Sequence, residues 1–163
     1  MENIKILDFA AKDVDEILQI QTECNLSVWS RIDYLEELER TDSIFKVSQT
    51  SDEKIIGFVL VRLVVSADVQ NDSAIIAFDS SEILNIAVRQ SLQHKGIGQL
   101  IFDEILRELE RKNISEIWLE VRKSNANAIN FYQKNNFEEQ FERKNYYSNP
   151  IENALVLRRL INH

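Results

Sequence analysis

Apolar positions along this chain follow two rhythms, and each change of rhythm marks an element. IKILDF (4–9) reads as a first strand. DVDEILQIQTEC (13–24) puts Val14, Ile17, Leu18 and Gln21 on one helical face. WSRIDYLEELER (29–40) opens with Ser30 and has Asp33 three residues on, a near capping box that starts a second helix near Arg31. SIFKVSQ (43–49) and KIIGFVLVRLVV (54–65) flank the polar turn TSDE and predict a hairpin. SADVQNDS (66–73) reads as a loop, AIIAF (74–78) as an extra strand or an extension of the next one, and EILNIAV (82–88) as a strand. IGQLIFDEILRELERK (97–112) repeats Ile97, Ile101, Ile105 and Leu109 every four residues, an amphipathic helix. SEIWLEV (115–121) is a strand and NANAINFYQKN (125–135) a helix with Ala128, Ile129 and Tyr132 on one side. FEEQFERKNYY (137–147) and NALVLRRLI (153–161) are two last strands around SNPIE.

A single strand–helix–strand passage inside a mostly antiparallel series predicts an α/β fold: a mixed sheet with helices on both faces. At 163 residues, with no repeat, low-complexity segment or linker, the chain reads as one domain, 1–163. The charged start MENIKILDFAAKD predicts no leader, and no apolar run is long enough for a membrane span. Cys24 is the only cysteine, so no intramolecular disulfide or thiolate metal cluster is expected, which fits a cytoplasmic setting. A net charge of −8 argues against nucleic-acid binding and suits a cationic partner, or simply keeps the protein soluble.

The chain has three glycines, and two of them, Gly96 and Gly98, sit where strand 82–88 gives way to helix 97–112. A helix start offers free N–H groups and partial positive charge, and a turn without side chains lets a phosphate approach them. A kinase-type P-loop fails, because Gly98 is followed by Gln99 and Leu100. A dinucleotide fingerprint fails, because position 101 is Ile101 and seven residues separate Val88 from Gly96. A tight turn without a ligand stays open. So does an acyl-CoA loop of the pattern Q/R-x-x-G-x-G/A, which Gln93, His94, Lys95, Gly96, Ile97 and Gly98 match at every defined position.

On that loop and the order of elements, the chain resembles the GCN5-related N-acetyltransferases. LNIAV (84–88), QHKGIGQ (93–99), WLEVRKSNANAINFY (118–132) and RKNYY (143–147) are similar to the ribosomal-protein-alanine N-acetyltransferase subfamily. Those enzymes acetylate the N-terminal amine of small-subunit ribosomal protein eighteen. The resemblance covers residues 82–147 well and the N-terminal part loosely, through VWS (28–30).

It implies a central, mostly antiparallel sheet and acetyl-CoA as cosubstrate, with no metal. It places the pyrophosphate on the main-chain amides of His94, Lys95, Gly96, Ile97, Gly98 and Gln99, after Gln93. The pantetheine arm and thioester would lie along Ile86, Ala87 and Val88, where strand 82–88 diverges from strand 115–121. Arg89, His94 and Lys95 are the cations nearest the loop. Glu120 becomes the general base, directly or through water, and Tyr132 the general acid. Asn125 becomes a helix cap, a CoA contact or both. Trp29, Tyr34, Tyr146 and Tyr147 become acceptor-side residues. An α-amine titrates at about 8 and lysine at about 10.4, so a carboxylate base suits an N-terminus better.

The implied partner is a protein or peptide N-terminus, such as that of a ribosomal protein, with no nucleic acid or membrane, on a monomer or homodimer. Two departures bear on this. Asn135-Asn136-Phe137 stands where relatives often have Leu-Gly-Phe; Asn136 can take the left-handed conformation that ends the helix. SNPIENA (148–154) replaces an acidic, glycine-containing loop, and the stretch 66–80 is unusual. Acetylation of a small amine or polyamine, and a non-catalytic CoA-binding module, are the rival readings.

Overall fold

A computed structural model describes residues 3–65 and 78–161. The strands are β1 (Lys5–Asp8), β2 (Ser43–Gln49), β3 (Ile55–Val64), β4 (Ser80–Val88), β5 (Glu116–Arg122), β6 (Glu138–Ser148) and β7 (Ile151–Leu160). The helices are α1 (Val14–Glu23), α2 (Arg31–Glu36), α3 (Ile97–Arg111) and α4 (Ala126–Lys134). The strands lie in the order β1-β2-β3-β4-β5-β7-β6, and β4 and β5 are parallel. This is the mixed, mostly antiparallel α/β arrangement that the patterning predicts. The AIIAF strand falls outside the described residues except for Phe78.

The chain folds as two compact units. The first is Met1–Arg62 with Leu84–Arg111. In its β2–β3 ladder, Phe45 faces Leu60 and Val47 faces Phe58. These four meet Ile17 and Ile20 of α1 and Tyr34 of α2 in one buried cluster. The intervening residues, Lys46 and Ser48, point to the opposite face. There Lys46 pairs with Glu108 of α3 at 3.0 Å, so helices cover both faces of these strands. The Ser30–Asp33 capping box forms as predicted, with Asp33 N–H donating to Ser30 Oγ and Ser30 N–H to Asp33.

The second unit is Leu63–Ile83 with Lys112–His163. Its parallel ladder runs from Ser80↔Glu116 to Ile83↔Leu119 and stops there. Leu119, Ile117 and Val121 are buried and alternate with Trp118, Glu120 and Arg122, which look out of the other face. Asn136 takes φ +61 after α4, and Phe137 N–H donates to the Tyr132 carbonyl. Asparagine thus performs the helix-ending turn that glycine usually makes. The SNPIE stretch is tighter than its sequence predicts: β6 runs to Ser148 and β7 starts at Ile151.

Candidate active site

In the first unit, the end of β4 leads through residues 89–96 into α3. His94 and Gly96 both have left-handed backbones, at φ +60 and +83. Such a reversal gathers successive N–H groups towards one side, and the first turn of α3 adds its own. A Cβ placed on Gly96 meets no heavy atom within 4 Å, so the surface over this turn is open. That geometry fits the pyrophosphate cradle expected of His94 to Gln99. The side chains of His94 and Lys95 are exposed there, while Ile97 anchors the helix in the core.

Other predicted residues brace this loop. Gln93 Nε2 donates to the Val88 carbonyl at 3.0 Å, and the Cys24 thiol donates to the same oxygen at 3.3 Å. Arg89 is not a loop cation. Its Nε donates to the Ile55 carbonyl at 3.0 Å, and its other nitrogens pair with Glu16 and Glu23 of α1. Sequence reading also missed the third glycine. A Cβ on Gly57 would lie 2.8 Å from the Ala87 carbonyl oxygen, 2.9 Å from Ser48 Oγ and 3.0 Å from Ile101 Cδ1. Only glycine lets β3 lie this close to the end of β4.

Tyr34, expected at the acceptor site, is 0% exposed and so cannot touch an acceptor. Its hydroxyl donates to Gln21 Oε1 at 2.7 Å. That oxygen also accepts the Trp29 N–H at 2.9 Å, and Gln21 Nε2 returns a bond to the Trp29 carbonyl at 3.1 Å. Burial raises the Tyr34 pKa well above the usual phenol range. Tyr34 therefore positions Trp29, which stacks on it at 5.4 Å beside exposed Val28 and Ile32.

The second unit holds Glu120, the expected base. Across three strands Glu120 lies opposite Val156 and Phe141, and Arg122 opposite Ala154 and Arg143. Residues opposite one another share a face. Between Arg143↔Ala154 and Tyr147↔Glu152, four steps along β6 oppose two along β7. The excess is a bulge centred on Asn145, at φ +52. Asn153 holds it: its Oδ1 accepts the Asn145 N–H at 2.9 Å and its Nδ2 donates to Glu142.

The bulge turns Tyr146 to the face that Arg143 and Tyr147 share with Glu120. Arg143 Nε sits 3.0 Å from Glu120 Oε1. The Tyr146 hydroxyl hydrogen-bonds Glu120, which, with partial burial, pushes its pKa up to about 12. Burial first and the Glu120 charge second raise Tyr147. The Tyr146 and Tyr147 rings meet edge-on at 5.1 Å.

Arg122 locks the hairpin beneath them. Its guanidinium lies 4.1 Å over the Tyr147 ring, and it donates to the Asn149 and Pro150 carbonyls and to Glu152. On α4, Asn125 caps the helix, its Oδ1 accepting the Ala128 N–H at 3.1 Å. Tyr132 is buried between Phe131 and Phe137, and burial raises its pKa strongly, so the phenol stays protonated. No cluster of metal-ligating side chains occurs among the described residues.

The family model "Acetyltransferase (GNAT) family" matches residues 14–137. The [ribosomal protein bS18]-alanine N-acetyltransferase of Salmonella typhimurium is 28% identical over 159 residues, covering 96% of each chain. The crystal structure of the ribosomal-protein-S18-alanine N-acetyltransferase from Escherichia coli superimposes with a TM-score of 0.82 at 24% identity, over 99% of this chain and 96% of that one. Arabidopsis thaliana NAA60, solved in complex with acetyl-CoA, gives a TM-score of 0.84 at 15% identity, over 99% and 100%. The chain belongs to the acetyltransferase (GNAT) family and is an acetyl-CoA-dependent N-acetyltransferase.

Proposed function

We propose that the chain acetylates the N-terminal α-amine of a protein or peptide, such as a ribosomal protein, with Glu120 as base and Tyr132 as acid. The carrying observation is the face around Glu120. Its carboxylate, 15% exposed, is ringed by two adjacent tyrosines that a regular strand would send to opposite sides. Such a rim of half-exposed aromatic side chains suits a peptide backbone better than a small flexible amine.

Glu120 accepts the proton of the α-ammonium, directly or through one water, which frees the nitrogen lone pair. The nitrogen–carbon bond to the acetyl group forms as the carbon–sulfur bond breaks. Tyr132 gives its phenolic proton to the departing sulfur, the second proton of the nitrogen passes to solvent as the amide forms, and the phenol is reprotonated from solvent. Acetyl-CoA supplies the activated acyl group. Main-chain amides of residues 94–99 hold its pyrophosphate, the β4 segment Ile86–Val88 its arm, and Asn125 contributes from the α4 cap. A chain of net charge −8 repels an anionic ligand at long range, so a cradle of amides matters more here than the two exposed cations.

The test is mass spectrometry of acetyl-CoA reactions with alanine-starting basic peptides, their N-blocked forms, internal lysines and spermidine. Acetylation confined to free N-termini is expected. Reaction at spermidine or lysine would replace this reading with small-amine or side-chain acetylation. Tyr132→Phe should keep acetyl-CoA binding and lose at least about tenfold in turnover, within the usual range for a lost general acid. Binding without turnover in the native chain would favour a CoA-binding module.

A further inference from the structure

The Glu120 carboxylate already holds a cation. Arg143 Nε stands 3.0 Å from Glu120 Oε1, at hydrogen-bonding distance, where a substrate ammonium would have to come. The two partners differ in freedom. The Glu120 side chain is 15% exposed and fixed in a central strand, whereas that of Arg143 is 51% exposed on the edge strand. Arg143 also has somewhere to go. Its guanidinium lies 5.6 Å from the Tyr146 ring centre and 5.9 Å from that of Phe141, both half-exposed. Those faces can keep a cation that has left the carboxylate.

We propose that Arg143 is the resident counter-cation of the acceptor site, a positioning and specificity residue that the acceptor's ammonium displaces. In the free enzyme the guanidinium closes Glu120. An acceptor binds when its own ammonium takes the carboxylate and Arg143 moves onto the aromatic rim. Neutral or poorly placed amines do not make that exchange, so the pair filters acceptors by charge and reach. The Asn145 bulge makes the filter: three steps apart on a regular strand, Arg143 and Tyr146 would point to opposite faces. The inference rests on the reading of Glu120 as the acceptor-side base.

The test is steady-state kinetics with a free-N-terminal peptide for the native chain, Arg143→Gln, Arg143→Lys, Glu120→Gln and the double variant Glu120→Gln/Arg143→Gln. Arg143→Gln should lower the peptide KM by roughly three- to fivefold, the upper end for a half-exposed ion pair. The KM for acetyl-CoA should not move, and the peptide KM should change more than kcat. Arg143→Lys, which restores a cation, should return the KM to within about twofold of native, and on a Glu120→Gln background, where binding is read by calorimetry, Arg143→Gln should change the peptide Kd by less than about twofold. Arg143→Met, which keeps the stem against the rings, repeats the test should the glutamine variant misfold.

An unchanged or raised peptide KM in Arg143→Gln overturns the proposal. If that happens while Glu120→Gln still abolishes turnover, the base assignment stands and only the counter-cation role fails. Native turnover in Glu120→Gln sinks the base assignment and the inference with it.

Discussion

Asn145 is the residue on which the proposed acceptor face of the second unit turns. At φ +52 it occupies the left-handed region, where asparagine is tolerated and other non-glycine residues pay about 1–2 kcal/mol. Its N–H is held by Asn153 Oδ1, so the strain of a substituted side chain cannot relax without losing that bond as well. Asn145→Ala should therefore destabilise the fold by about 1–2 kcal/mol, lowering Tm by roughly 2–4 °C per kcal/mol for a chain of this size. Asn145→Gly removes the Cβ and should stay within about 0.5 kcal/mol of native, since glycine accepts the same backbone. The two variants differ by one methyl group on an exposed residue, so packing cannot account for a gap between them. Urea denaturation of both measures the difference, and peptide kinetics follow it. The alanine variant should raise the peptide KM or lower kcat, because a relaxed bulge no longer keeps Tyr146 on the face of Arg143 and Tyr147. Equal stability in the alanine and glycine variants would refute the reasoning.

Tyr34→Phe removes the 2.7 Å bond to Gln21 but leaves Gln21 Oε1 satisfied by the Trp29 N–H, so a loss of about 1 kcal/mol is expected by urea denaturation. The raised pKa of Tyr34 means its contribution is complete below the unfolded phenol value of about 10 and is lost as pH rises towards the folded one. The native chain should accordingly lose stability above about pH 10 more steeply than Tyr34→Phe, and equal slopes would show that this phenol does not matter. Gly57→Ala pushes a Cβ to 2.8 Å from a main-chain oxygen that cannot rotate away; overpacking of this kind costs about 1–3 kcal/mol, and an alanine variant as stable as native would contradict the contact.

Most elements were legible because burial here follows simple periods. β2 is Ser43–Gln49 as predicted, and α3 ends one residue short of the predicted 97–112. The bulge was not legible. It adds two residues to β6, an even number, so the two-residue alternation resumes in phase beyond it and leaves no mark in the pattern. β6 is also exposed along most of its length, which removes the apolar signal altogether. The one available cue was Asn145 itself, a residue that tolerates a left-handed backbone, directly before the paired tyrosines. Tyr34 was expected at the acceptor side because the resemblance assigns that side to the α2 region as a whole, which does not say which of its residues lie buried. Its buried partner Gln21 was visible on the inner face of α1, and a polar residue there requires a hydrogen-bonding mate. The use of Arg89 by α1 was invisible, since its partners Glu16 and Glu23 lie more than sixty residues away.

On the proposed reading, Gly57 and Gly96 together account for how an acidic chain would handle an anionic cosubstrate. Gly57 lets β3 approach the Ala87 carbonyl, which fixes the end of β4. The next carbonyl, Val88, takes bonds from Gln93 and Cys24, so the strand end and the start of the loop are tied to each other. Arg89 follows at once and is neutralised by α1 carboxylates, so its charge does not reach outward at full strength. Past it, His94 and Gly96 reverse the backbone into an open turn whose ligands are amides. If the pyrophosphate sits here as proposed, the loop's fixed dipoles take the place of a cluster of cations, and its rigidity comes from the Gln93, Cys24 and Arg89 side chains bound to the main chain around it. The second unit works the other way round: there the proposed acceptor face is all side chain, and a main-chain irregularity at Asn145 brings Tyr146 to Glu120.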